Sequence, residues 1–172
     1  MLDYSLKIGL ASCRRWLPGK RTGIFNPDYA RANKKHVESY VRARYTDEQT
    51  SFTDLDFLND EGMMFDVAQA ETIAAEFKKQ KVDALFIINC NYGCEEVAAQ
   101  LARLMQVPTL LWAPQDTIFE ADGTRYTDAQ CGLFAMSKQF IRYKVPFEHI
   151  ENCPVEAPAF AKGFEQFLSV AC

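Results

Sequence analysis

Apolar residues fall in two spacings along this chain, short unbroken runs and stripes recurring every three to four positions, and the two alternate from end to end. Residues 6–11 (LKIGLA) are a run rich in branched side chains that opens into Ser12-Cys13-Arg14-Arg15-Trp16-Leu17-Pro18-Gly19, the pattern of a buried strand and its loop. From Asp28 the positions Tyr29, Ala32, Val37, Tyr40 and Val41 recur at helical spacing between lysines and arginines, with His36 beside the stripe as a packed or half-exposed residue. Residues 52–58 alternate polar and apolar, which predicts a second or edge strand with its acids on a solvated face. The next helix carries Val67, Ala70, Ile73, Ala74 and Phe77 on one side. It ends in Lys78, Lys79 and Lys81, where cations complement the carboxyl-terminal dipole.

A strand at 84–88, a helix burying Val97, Leu101, Leu104 and Met105, and a strand at 109–113 continue the rhythm. Asp122-Gly123 flanked by β-formers predicts a small hairpin over 118–126, projecting Phe119 and Tyr126 as a subunit contact. A helix over 128–142 is expected to bury Leu133, Phe134, Ser137, Phe140 and Ile141. A last strand falls near 147–150, and a final helix presents Phe160, Phe164, Phe167 and Leu168. Strands alternating with helices in this way predict an α/β fold: one doubly wound, five-stranded parallel sheet of flavodoxin-like order 2-1-3-4-5, covered on both faces, with the hairpin as an insertion.

Composition narrows the class. The 172 residues suit one domain, and 48% hydrophobic residues with 13 phenylalanines supply a full core. A net charge of -4 argues against a nucleic-acid or anionic-membrane partner, both of which need a basic face. No apolar run approaches the ~20 residues of a bilayer span, and the opening residues lack the regions of a signal peptide, so a cytoplasmic location is expected. The six cysteines then read as thiols. None forms a CxxC pair and only His36 and His149 could join them, so no metal site is expected.

In a doubly wound sheet, ligands sit beyond the carboxyl ends of the strands where the winding reverses, between the first and third strands. The loops there hold Arg14-Arg15-Trp16, Asn89-Cys90-Asn91-Tyr92-Gly93 and Pro114-Gln115-Asp116, polar and aromatic side chains suited to a ligand with several hydroxyls. No GxGxxG follows a strand and no GxxxxGK[ST] occurs, so common nucleotide cradles are disfavoured. A flavin mononucleotide carrier would want a glycine- and hydroxyl-rich first loop in place of Cys13-Arg14-Arg15-Trp16. Glu95 and Glu96 at the start of the following helix would also repel a phosphate. Arg14 or Arg15 could donate paired hydrogen bonds to a sugar or carboxylate, or could pair with Glu95 or Asp116 and hold the loops together. Cys90 and Cys94 read as packed or ligand-adjacent thiols rather than a redox pair. Gly93 would permit a sharp turn, and the Tyr92 ring could stack on a sugar face. The connection 61–65 holds Met63, Met64 and Phe65, either core caps or subunit contacts.

At these loops the chain resembles the amino-terminal domain of the L-fucose isomerase and L-arabinose isomerase family. The matching features are Lys7-Ile8-Gly9 followed by Arg14-Arg15, Cys90 to Glu95 as Cys-x-Tyr-Gly-x-Glu, Gln115-Asp116, and Cys131-Gly132-Leu133-Phe134-Ala135. The resemblance implies a hexameric, manganese-dependent aldose–ketose isomerase of three domains, whose first domain reaches into the active site of a neighbouring subunit. Its metal ligands and acid/base residues lie in later domains, so this chain is expected to be the first domain of a longer enzyme, without a cofactor or catalytic residue of its own. Its end at Ser169-Val170-Ala171-Cys172, inside an apolar helix with no glycine cap, fits that expectation. Carried over as substrate-binding residues are Arg14, Arg15, Asn91, Tyr92 and Gln115, with Cys90 and Asp116 beside them. The partners implied are a sugar substrate, the downstream domains and further copies of the chain. A rival reading is a stand-alone sugar-binding or regulatory domain of the same fold.

Overall fold

The computed structural model describes residues 5–116 and 121–171. The elements run β1 (Leu6–Cys13), α1 (Pro27–Tyr45), β2 (Thr50–Thr53), α2 (Gln69–Lys79), β3 (Ala84–Asn89), α3 (Glu95–Met105), β4 (Thr109–Trp112), α4 (Ala129–Tyr143), β5 (Glu148–His149) and α5 (Pro158–Ala171), with a short 3-10 turn at Gly23–Phe25. The sheet is parallel throughout and ordered β2-β1-β3-β4-β5, the predicted doubly wound α/β arrangement. The first arm of the expected hairpin, Phe119 included, lies outside the described residues. In its second part Asp122 Oδ1 accepts the Thr124 N–H at 2.9 Å in a turn, and the Tyr126 ring stacks on Tyr29 at 4.3 Å, so Tyr126 packs on its own chain.

Successive side chains of each strand point to opposite faces, and both faces are covered, which is why the strands read as continuous apolar runs. Leu85, Ile87 and Leu111 face α2, α3 and α4 in a core with Phe77, Leu101 and Phe140. Ile8, Leu10, Phe86 and Ile88 face α1 and α5, where Val41, Phe160 and Phe164 meet them. Asn26 caps α1 by accepting the Asp28 N–H at 2.9 Å, and Pro27 opens the helix where its missing donor costs nothing.

Two expectations are corrected. The strand predicted over 52–58 ends at Thr53. Asp54 Oδ1 accepts the Asp56 N–H at 3.0 Å, and Leu58 N donates to Leu55 O at 2.8 Å, so the chain turns there while Leu55 still packs inward. The inward face of α4 is Gly132, Leu133, Met136 and Phe140, whereas Phe134 and Ile141 are 65% and 69% exposed. Gly132 sets that rotation: a Cβ there would overlap the Tyr92 carbonyl oxygen and lie 2.5 Å from Asn89 Nδ2, so α4 can seat only with its glycine against the loop after β3.

The connection 61–65 proves to be a core cap. Met64 bridges Cys13 in parallel, its N–H donating to Ser12 O at 2.9 Å and its carbonyl accepting from Arg14 N at 3.2 Å, and both Met63 and Met64 are fully buried. It prolongs the sheet beside β1 beyond the end of β2.

Candidate functional site

Register fixes where the loops emerge. Cys13 lies opposite Asn89, and Ile88 opposite Trp112, so β1, β3 and β4 end nearly level and the loops after them leave one rim of the sheet. All seven sequence-derived positions fall on those loops.

The two arginines have separate carboxylate partners. Arg14 is 5% exposed; its Nε and Nη2 donate to Glu61 Oε2 and Oε1 at 2.5 and 3.0 Å, and its guanidinium lies 4.3 Å above the Phe65 ring. This two-pronged pair ties the rim to the loop after β2. Arg15 is half-exposed, donates from Nη1 to Glu95 Oε2 at 3.0 Å, and stacks 5.0 Å from the Tyr92 ring centroid. Nη2 and Nε of Arg15 donate to no other group among the described residues. The pairing of Arg15 with Glu95 follows the sequence reading, while Arg14 chooses Glu61 instead of Glu95 or Asp116.

Asn91 organises the loop after β3. Its Oδ1 accepts from the backbone N–H groups of Arg15, Tyr92 and Gly93 at 2.9, 2.6 and 3.3 Å, and its Nδ2 donates to Ile24 O at 2.7 Å. The side chain is fully buried, so it shapes the rim from below. Gly93 makes the sharp turn that the sequence suggested, in the left-handed region at φ +78, and a Cβ there would stand 2.9 Å from Asn89 Oδ1. Tyr92 is thereby held half-exposed against Arg15.

The remaining positions divide sharply. Gln115 is exposed and makes no hydrogen bond among the described residues. Asp116 is a remote cap for α4, its Oδ1 and Oδ2 accepting from Ala129 N and Gln130 N at 2.8 and 3.2 Å. Cys90 is fully buried, its thiol directed to the α1 and α5 face. Burial pushes that thiol up to about 12; the charge of Glu38 adds to the rise and a Ser12 hydrogen bond opposes it. Cys94 is also raised, chiefly by burial. Such thiols stay protonated near neutrality, unlike a reactive redox pair. Arg15, Tyr92 and Gln115 thus face outward, while Arg14, Cys90, Asn91 and Asp116 lie beneath or beside them.

Sequence reasoning missed Glu38. It looks like one more charge on the polar side of α1, yet it is 7% exposed and accepts the Ser12 O–H at 2.6 Å. Lys34 Nζ stands 3.6 Å from it and 2.7 Å from Asp56. Burial raises the Glu38 carboxyl to about 7, against the Ser12 hydrogen bond and Lys34, which favour the charged form. Its place beside Val37 and before Val41 on the inward stripe was the available signal.

Among the described residues no group of three or more His, Cys, Asp or Glu could hold a metal ion, and no helix is long and apolar enough to cross a membrane. A search of curated proteins finds no match. The model of the fucose/sulfoquinovose isomerase amino-terminal domain family matches residues 17–172, from just after the two rim arginines to the last residue of the sequence. A match of that extent, over a parallel sheet of order 2-1-3-4-5 with its polar rim, places the chain in the fucose/sulfoquinovose isomerase N-terminal domain family.

Proposed function

We propose that this chain is the substrate-recognition and assembly domain of an aldose–ketose isomerase of the L-fucose/L-arabinose type. It contributes Arg15, Tyr92 and Gln115 to the pocket of a neighbouring subunit, while downstream domains carry the chemistry. The observation behind this reading is the rim itself: the Arg15 guanidinium stacked on the Tyr92 phenol, the exposed Gln115 on another loop of the same rim, and Asn91, the Arg14–Glu61 pair and the Asp116 cap tying those loops down. Such a surface offers hydroxyl partners and a ring face but no group tuned to move a proton, so it forms half a pocket.

The charges favour an uncharged sugar over a sulfonated one. Both rim arginines already have carboxylates, Glu95 and Glu96 occupy the first turn of α3, and the Asp116 carboxylate occupies the first N–H groups of α4. Both helix ends that could hold an oxyanion are thus taken by acids. In this reading the parent enzyme is a cytoplasmic hexamer using manganese. Among the described residues of this chain no group fits that metal, which would be held by other domains.

The test is made on the full-length parent enzyme with manganese. Arg15→Ala and Tyr92→Ala are expected to raise KM for the aldose about tenfold, in proportion to ~1.4 kcal/mol of lost contact, with a smaller effect on kcat. No conversion of any pentose or deoxyhexose by the parent enzyme, or unchanged KM in both variants, would overturn the reading.

A further inference from the structure

A second recess lies beside the three-loop rim, between α1 and the turn that follows β2. It encloses about 650 Å³ and is walled by Lys34, Lys35 and Glu38 on one side and by Asp56, Phe57 and Asp60 on the other. That volume lies within the range of small-molecule sites. Gly62 forms part of its wall at φ +58, the left-handed region that favours glycine, and a Cβ there would stand 2.5 Å from Asp56 Oδ1 and 2.6 Å from Lys34 Nζ, pushing that ion pair aside.

The charges of the recess balance. Lys34 is matched by Asp56 and Glu38, Arg42 by Asp54, and Glu61 by Arg14 and Arg31, so an ion approaching any of these groups would have to displace an existing partner. Fixed ion pairs of this kind present donors and acceptors side by side, which is what vicinal hydroxyl groups require. Lys35 and Asp60 make no ion pair among the described residues and stand on opposite walls. Phe57 adds an apolar ring, 43% exposed and steadied edge-on against Phe77 at 6.2 Å. A ring next to paired charges suits a molecule with one apolar face and a hydroxylated edge.

We propose that this recess is a second binding site, for an uncharged polyhydroxy ligand of hexose size, with Phe57 under its apolar face and Lys35, Asp60 and the Lys34–Asp56 pair around its hydroxyls. Glu61 lines the recess and also holds Arg14 at 2.5 Å, so the site abuts the three-loop rim and occupancy reaches it through one carboxylate. The site rests on its own geometry and does not depend on the rim serving an isomerase.

The experiment is an amide-resolved NMR titration of the labelled 172-residue chain with L-fucose and D-glucose, and with acetate and methylammonium as charged probes. Saturable shifts are expected at the amides of Ser39, Asn59 and Gly62 below about 100 mM sugar, the weak affinity that a few hydrogen bonds and one ring support. These shifts should be lost in Phe57→Ala and in the surface double variant Lys35→Met/Asp60→Asn, which leaves the core untouched, and kept in Tyr92→Ala. Shifts confined to 13–16, 91–93 and 115–116, no saturable shift, full retention in the double variant, or preference for a charged probe would each overturn the inference. A sugar response only at the rim would sink this site and leave the proposed isomerase role standing. Groove shifts in a chain whose parent enzyme converts no sugar would do the reverse.

Discussion

Replacing Glu38 by glutamine tests the buried polar network under β1 through its pH dependence. Glu38 is packed between α1 and β1, with Ser12 donating to it, Lys34 at 3.6 Å, and Arg42, Asp54 and Cys90 as the other charged or titratable groups bearing on it. Burial lifts its carboxyl from 4.5 to about 7. The folded chain therefore binds this proton more tightly than the unfolded chain, and the group's contribution is complete below the unfolded value and lost as pH rises through the folded one. At ~1.4 kcal/mol per pKa unit the loss is about 3 kcal/mol, with the attraction of Lys34 already contained in the net shift. Glutamine preserves an oxygen for the Ser12 hydroxyl and carries no proton to lose. Urea unfolding of both proteins, followed by tryptophan fluorescence, should give nearly equal stabilities at about pH 4 and a variant more stable by about 3 kcal/mol at about pH 8. A difference that stays flat with pH, or a variant that becomes relatively weaker as pH rises, would refute the reasoning.

Two further outcomes follow from close packing at the rim. Gly132→Ala places a methyl against the Tyr92 carbonyl, which belongs to backbone and cannot rotate away, so a loss of at least about 3 kcal/mol is expected in the same assay. Asn91→Ala removes the acceptor of three N–H groups and the donor to Ile24 O. At roughly 0.5–1.5 kcal/mol for each of the four hydrogen bonds the expected loss is about 2–6 kcal/mol, and a thermal midpoint within a degree or so of the wild type would contradict the role assigned to it.

The fold was legible because strands buried on both faces read as unbroken apolar runs and the intervening helices as stripes. Parallel crossovers narrow the winding orders, and the expected 2-1-3-4-5 is the one the sheet adopts. Alternation misled at 52–58 because Leu55 and Leu58 pack inward from a turn, and a buried turn copies the period of a strand. The face of α4 was misjudged by counting apolar residues: Phe134 and Ile141 are larger, but Gly132 sets the rotation by contact with a loop forty residues earlier, which no local pattern encodes. The three loops do leave one rim of the sheet, yet the sequence did not separate their inner members from their outer ones. The burial of Cys90 and Asn91 depends on how the chain crosses the end of β3, and Glu61 reaches Arg14 across 47 positions.

The last strand of the sheet has a further consequence for how the molecule opens. β5 pairs with β4 through only two residues, Glu148 with Leu110 and His149 with Leu111, whereas α5 sets Phe160 and Phe164 against Trp112 and Phe86 at ring distances of 5.3 and 5.1 Å. So short a ladder cannot keep its own strand in place, and the aromatic contacts of the helix hold both. β5 and α5 therefore detach together as one cooperative unit. Deuterium uptake at Ile150, whose N–H donates to Leu111 O at 3.0 Å, will report the docking of that helix rather than the strength of the sheet.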